Sequence, residues 1–359
     1  MTPLRDILQR LSNEFGPSGH ERAVRNLIKG EIKDLVDRMD VDALGNLITF
    51  KAGSGPEPRL KVMVSAHMDE VGFMITKIGK GGLLSFHNVG GIEASLLAAK
   101  RVLIGGDRAP GVIGGPVPHL QTAEQAQRPL KSDDMAIDIG AADDGAAKAK
   151  VKIGDYATFA TTFTVLSEDP AWPTVRGKAF DDRSGCAALV ALLAEQFPVD
   201  VFGVFTVQEE VGLRGARVAA YRVQPDAAIA LEGTICDDLP KPPEDDASPV
   251  TRLGAGPALT LMDRSVVTHP GLLHLFQDTA EAESIAIQYK APGLGSTDSG
   301  AIHLARAGVP AITIAIPCRY IHGPAAILNM NDLDGAVRLV AAALRRITRQ
   351  NLERSDGPA

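Results

Sequence analysis

LKVMVSAHMDEVGF, residues 60–73, is the stretch from which the fold can be read. Leu60 to Ser65 is a short apolar run of the kind that makes a buried strand. His67 and Asp69 follow at its carboxyl end, where open α/β sheets place their ligands. Two packing helices precede it. Leu4, Ile7, Leu8 and Leu11 recur at helical spacing, the Phe15–Gly19 segment FGPSG ends that helix, and a second over 20–36 turns Val24, Leu27 and Ile28 inward. Residues 40–50 read as strand, tight turn and strand, and a Gly- and Pro-rich loop at 53–58 leads into the buried run.

Past residue 73 the character changes. Glycine clusters near 79–82, 90–91, 105–106 and 114–115, with short β-branched runs between them, replace helical periods as far as Asp169. Residues 135–139 and 156–165 look like strands that close this β-rich insert, with a polar loop over 121–133. Near Thr174 the alternation of helix and strand resumes. A helix after Asp181 and Asp182 carries Cys186, Leu189, Val190 and Leu193. Strands are predicted over 201–207, 227–231, 258–261, 285–289 and 311–316, and helices over 272–283, 302–307 and 333–347. The pattern is α/β, with residues 1–72 and 170–359 forming a catalytic domain around an inserted domain at 73–169. The polar tail after Gln350 is expected to fray.

With 359 residues, 45% of them hydrophobic and 23% charged, the chain can bury a large core. A net charge of -7 argues against a nucleic-acid or anionic-membrane partner. Cys186, Cys236 and Cys318 are far apart and form no C-x-x-C, which suggests neither a disulfide framework nor a thiolate zinc site. The N-terminal MTPLRDILQRLSNEFG lacks the apolar core of a signal peptide, and no run reaches the length of a membrane span. A soluble, cytoplasmic protein is expected.

The chemistry centres on FTVQEEVGLRGA, residues 205–216. Glu209 and Glu210 are adjacent after an apolar run, a costly arrangement unless a cation or a proton lies between them. Alone, the pair reads most simply as solvated carboxylates at a strand end. Its company changes that: His67 with Asp69, Asp181 with Asp182, Glu232 and His322 are each expected just past the end of a strand. Two imidazoles and three carboxylates are the ligand types and number that hold two borderline divalent ions, one carboxylate bridging. A further carboxylate must then move protons. Spacing alone allows either Asp181 or Asp182 to bridge. Asp298 reads as a helix N-cap or as a carboxylate lining the site near a substrate amine. Arg319 reads as the partner of an acidic side chain or as a neutraliser of an acidic substrate. Asp237 and Asp238 read as turn formers.

Eight segments in one order resemble the glutamyl aminopeptidase family of co-catalytic metallopeptidases (metallopeptidase family 42), also called tetrahedral aminopeptidases. They are SAHMDEVGFMI (65–75), PGVIGGPVPHL (110–120), KAFDDRSG (178–185), QEEVGLRGA (208–216), LEGTICDD (231–238), GPALTLMDRS (256–265), STDSGA (296–301) and PCRYIHGP (317–324). The resemblance covers nearly the whole chain. It implies a mixed central sheet flanked by helices, zinc-aminopeptidase-like, with an inserted small PDZ-like β-barrel that helps dimers assemble into a tetrahedral dodecamer. It implies two divalent ions, Zn²⁺ first with Co²⁺ or Mn²⁺ as alternatives, held by His67, Asp181 and Glu232 and by Asp181, Glu210 and His322. Glu209 would be the general base. Asp69 would assist catalysis by fixing the tautomer of His67, and a cis peptide would follow Asp181. The expected activity is removal of the N-terminal residue from short peptides. Two positions depart from the family pattern: Glu232 stands where many members have Asp, and Gly323 where many have Ser. The rivals are a metal-dependent deacylase or carboxypeptidase-type hydrolase on the same ligand set, a non-catalytic assembly subunit, and an endo-β-glucanase. For the last, paired carboxylates fit, whereas two buried histidines have no use.

Overall fold

The computed structural model describes residues 2–116, 119, 122, 128–240, 242 and 249–353. Parts of the 121–133 loop, of the 110–120 segment and of the C-terminal tail lie outside the described residues. Seventeen strands are described. They are β1 (Arg38–Val41), β2 (Leu47–Phe50), β3 (Lys61–His67), β4 (Gly72–Ile78), β5 (Leu84–Val89), β6 (Arg101–Ile104), β7 (Ala109–Gly114), β8 (Ala136–Asp138), β9 (Tyr156–Phe159), β10 (Thr164–Ser167), β11 (Thr174–Gly177), β12 (Asp200–Thr206), β13 (Ala227–Cys236), β14 (Ala258–Thr260), β15 (Gln288–Lys290), β16 (Ala311–Arg319) and β17 (Ala326–Asn329).

The apolar run at 60–65 is the inner strand β3. It lies parallel between β12 and β13, and β13 lies parallel to β16. These four strands have helices on their faces, which is why they read as near-continuous apolar runs. Antiparallel strands extend the sheet on both sides, in the order β1-β2-β12-β3-β13-β16-β17-β11-β10, with β14 and β15 branching from β16. The helix Phe180–Leu193 crosses the sheet almost wholly buried, and Ile7, Leu8 and Leu11 of the helix Leu4–Asn13 join the same core. A mixed sheet between helices is thus present, as expected.

The insert is a closed antiparallel barrel, β4-β5-β8-β7-β6-β9. Phe73 anchors its core, edge-on to Phe86 at 5.2 Å and to Phe159 at 5.3 Å between ring centroids. The strand predicted over 156–165 is two strands. β9 closes the barrel, whereas β10 pairs with β11 in the large sheet, so the chain changes sheets between them.

Other expectations shift at their ends. The second helix spans Arg22–Ile32 rather than 20–36, and the helix predicted at 302–307 is Asp298–Ile302. The helix Arg214–Val223 and the four-residue strands β11 and β17 are not among the elements expected from the sequence. β13 runs on to Cys236, since β16 pairs with it as far as Arg319, so Glu232 lies within a strand and not past its end. It still faces an opening, because β3 stops pairing with β13 at Ala230. No helix among the described residues is long and apolar enough to cross a membrane.

Candidate metal centre

The parallel strands converge on one mouth. β3 ends at His67, β12 delivers Glu209 and Glu210 three and four residues past Thr206, and β16 leads to His322. Asp181 comes from the start of the helix Phe180–Leu193, where it and Asp182 depart from helical angles, and its peptide bond to Asp182 is cis.

Asp181 stands between the two imidazoles. Its Oδ1 is 3.2 Å from His67 Nε2 and its Oδ2 is 3.4 Å from His322 Nε2. Glu232 Oε2 approaches His67 Nε2 at 3.5 Å, and Glu210 Oε2 approaches His322 Nε2 at 3.3 Å. Glu209 Oε2 lies 3.9 Å from His67 Nε2. The residues expected from sequence are therefore brought together, and the two imidazoles fall on opposite sides of one aspartate.

Asp182 turns away. Its Oδ2 accepts the backbone N–H of His67 at 3.1 Å and its Oδ1 that of Gly185 at 2.9 Å, so it ties the end of β3 to the crossing helix. Of the two aspartates, Asp181 is the one whose two oxygens face both imidazoles.

Asp69 does more than face a histidine. His67 Nδ1 lies 3.2 Å from the backbone oxygen of Asp69 and 3.6 Å from its carboxylate, so the carbonyl is the nearer acceptor. The carboxylate accepts the Ser18 hydroxyl at 2.7 Å and the backbone N–H groups of Glu209 and Glu210 at 3.1 and 3.2 Å. One buried side chain thus positions both glutamates. His322 Nδ1 donates to the carbonyl of Gly91 at 2.8 Å, a contact supplied by the barrel. Gly90, at φ 87°, allows this approach, since a Cβ there would meet Val71 Cγ1 at 2.8 Å and Glu210 Cβ at 3.3 Å. In the sequence the Gly90-Gly91 pair reads only as one glycine cluster of the β-rich insert, with no sign of this contact.

Asp298 is not the N-cap, a position held by Thr297. Its backbone N–H donates to Glu232 Oε1 at 2.9 Å, Thr206 donates to its Oδ2 at 2.5 Å, and its Oδ1 is buried with no partner. Arg319 forms a two-pronged pair with Asp238 at 2.7 and 2.9 Å, the plainer of its two expected roles. Asp237 and Asp238 accept the backbone N–H groups of Val250 and Leu253.

The electrostatics call for a cation. Burial pushes Glu209 and Glu232 well above the usual carboxylate range, and neighbouring carboxylates add to it. Burial likewise takes Glu210 to about 7 and Asp298 to about 6. Asp181 goes the other way: burial would raise it, but hydrogen bonds from His322 and His67 outweigh that and lower it. Burial works against charge on His322 too, yet Asp181 and Glu210 raise it to about 9. Carboxyls outnumber imidazoles here, an imbalance that divalent ions would relieve. Three groups could hold an ion, His67 with Asp181 and Glu210, His67 with Asp182 and Glu232, and Glu209 with Glu232 and Asp298, the ligand atoms of each within 4.8 Å of one another. The mixed oxygen and nitrogen donors, with one carboxylate oxygen still unpartnered, fit borderline divalent metals.

Beside the cluster opens a cavity of about 790 Å³, lined also by Leu213, Thr234, Ile235, Tyr320 and Lys290. Lys290, only 5% exposed, has no hydrogen-bond or ion-pair partner for its ammonium among the described residues. The sequence offered no signal for it.

A profile described as M42 glutamyl aminopeptidase matches residues 45–339. A putative aminopeptidase of Acetivibrio thermocellus is 40% identical over 342 residues, covering 94% of this chain and 98% of that protein. The crystal structure of a TET aminopeptidase from a marine-sediment Thaumarchaeota archaeon superposes with a TM-score of 0.91 at 34% identity, covering 97% of this chain and 98% of that one. The TET1 peptidase of Pyrococcus horikoshii, which can assemble into a tetrahedron or a large octahedral shell, superposes with a TM-score of 0.83 at 33% identity, covering 96% and 100%.

Proposed function

The chain belongs to the M42 glutamyl aminopeptidase family, and on that premise we propose that it is a di-metal aminopeptidase removing the N-terminal residue of short peptides with Glu209 as general base. The observation that carries this reading is Asp181, one carboxylate whose two oxygens face two imidazoles at 3.2 and 3.4 Å. His67, Asp181 and Glu232 would hold one ion, and Asp181, Glu210 and His322 the other, Zn²⁺ first with Co²⁺ or Mn²⁺ as alternatives. When bound, two such ions acidify water, polarise the scissile carbonyl and stabilise the tetrahedral oxyanion.

The protein's own groups do the rest. Glu209 takes a proton from the attacking water and returns it to the leaving amine, and burial raises its proton affinity toward that task. Glu210, on the same turn, reaches His322 instead, which divides the roles of the pair. Asp69 holds both glutamates by their backbone N–H groups and backs His67. The cavity accepts the substrate's first side chain, and the buried ammonium of Lys290, without a partner among the described residues, favours an acidic one there. The barrel serves assembly, as dimers that build a tetrahedral dodecamer, and confines access to short peptides.

The test is protein stripped of metal and refilled with Zn²⁺, Co²⁺ or Mn²⁺, then offered acidic, basic and apolar aminoacyl substrates beside N-blocked peptides and a soluble β-glucan. Metal-dependent turnover of free-amine substrates is expected. Turnover of blocked peptides or glucan alone would overturn the reading in favour of the deacylase or the glucanase.

A further inference from the structure

The segment that carries the general base is hung from side chains. Past β12, four successive backbone N–H groups find side-chain acceptors. Val207 N–H goes to Asn46 Oδ1 at 3.0 Å and Gln208 N–H to Glu21 Oε1 at 3.3 Å, while those of Glu209 and Glu210 go to Asp69. Gln208 itself sits at φ 56°, a left-handed conformation that a non-glycine residue keeps only when its surroundings hold it.

Glu21 is the unexpected member of this set. It is the N-cap residue of the helix Arg22–Ile32, yet its side chain makes no capping hydrogen bond. Instead it turns inward, 4% exposed, and accepts from Gly19 N–H at 2.6 Å as well as from Gln208. A carboxylate at an N-cap normally satisfies its own helix. This one forgoes that and is buried near Asp69, a like charge; burial first and Asp69 second raise it to about 7. The cost goes into holding the residue directly before Glu209.

We infer that Glu21 is a positioning residue for the general base, acting as the acceptor that fixes Gln208 N–H and thereby the swing of the Glu209 side chain. The inference rests on the reading of Glu209 as the base. Asn46 shares the task from the other side. Its Nδ2 donates to Gly215 O at 3.0 Å, and its Oδ1 fills the space a Cβ on Gly215 would need, so it clamps both ends of the 207–215 turn. Ser18 completes the brace through Asp69. The FGPSG segment that ends the first helix, together with Glu21, therefore connects the N-terminal layer to the reacting carboxylate.

The experiment compares wild type, E21A, E21M and E21Q for kcat, KM, metal content per chain and melting temperature. E21M fills the side-chain space without an acceptor and reads the same quantity if E21A does not fold. E21A or E21M should lower kcat about tenfold, the scale expected for a base displaced by a fraction of an ångström, with KM and metal content unchanged. E21Q keeps a carbonyl acceptor and should retain most of the rate. Wild-type kcat in E21A or E21M overturns the inference, as does an E21Q loss equal to that of E21A or a kcat loss that follows metal content. If wild type cleaves no free-amine peptide, it is the underlying reading of Glu209 that fails.

Discussion

One methyl group at Gly233 tests whether the position of Asp181 matters as the geometry implies. Gly233 follows Glu232 on β13 and lines the cavity. A Cβ built there would meet Asp181 Cα at 2.8 Å, Cβ at 2.8 Å and Cγ at 2.9 Å. Ordinary contact begins at 3.4 Å, so the difference, 3.4 − 2.8, requires a retreat of about 0.6 Å. The atoms struck include backbone, not the free end of a flexible side chain, and they cannot swing aside. Overpacking of this kind typically costs about 1–3 kcal/mol, which a chain of this size tolerates. The functional cost should be larger, since misplacement near 1 Å can cost about 10²-fold in rate. G233A should therefore fold and melt within a few degrees of wild type, yet lose metal content, kcat or both by about 10-fold or more. G308A is the control, because a Cβ on Gly308 would meet no atom nearer than 3.8 Å and its φ of 101° imposes only backbone strain. Metal analysis, thermal melting and steady-state kinetics on the two variants decide it. Wild-type metal content and kcat in G233A would refute the reasoning.

Three further outcomes are expected. Asp332 is buried, accepts the Gly254 and Gly256 N–H groups, and is raised by burial from 3.8 to about 6, so the folded state holds its proton after the unfolded state has lost it. Stability therefore falls as pH rises from about 4 to 6, by at most about 3 kcal/mol, and D332N should show a flatter denaturation midpoint across that window than wild type. K290M should lower kcat/KM for acidic substrates by about 10–100-fold, the worth of a charge-assisted contact, while apolar substrates change little; equal losses on both would remove Lys290 from specificity. Chelation should lower the melting temperature as well as abolish turnover, because ions bound only to the folded state stabilise it by about 4 kcal/mol at a thousandfold excess over Kd. An unchanged melting temperature would speak against ions held by His67, Asp181 and their neighbours.

Much of this arrangement was legible because the physics is local. The run at 60–65 reads as a buried parallel strand, and a parallel strand delivers the residues just past its end, here His67 and Asp69, to one edge of the sheet. Glu209, Glu210 and His322 are placed by the same logic. Glu232 is not: it reads as a residue past a strand end, but the continued pairing of β13 with β16 keeps it within the strand. The features hidden from the sequence depend on contacts distant along the chain. The acceptance of the His67 and Gly185 backbone N–H groups by Asp182 is one of them. The orientation of His322 lies in a carbonyl 231 residues away. Lys290 occupies a short strand with no motif around it, and Glu21 sits at a helix start where a cap is the ordinary reading. The change of sheet between β9 and β10 is hidden because both segments are β-rich, and composition does not say which sheet a strand joins.

The central claim is that the adjacent glutamates have different tasks, one holding an ion and one moving a proton. The most direct measurement is E209Q, assayed for metal per chain and for kcat in the same preparation. The account predicts wild-type metal content and a kcat lower by about 10²–10⁴-fold, the usual contribution of a general base. Full activity in E209Q, or loss of metal in proportion to loss of rate, would contradict it.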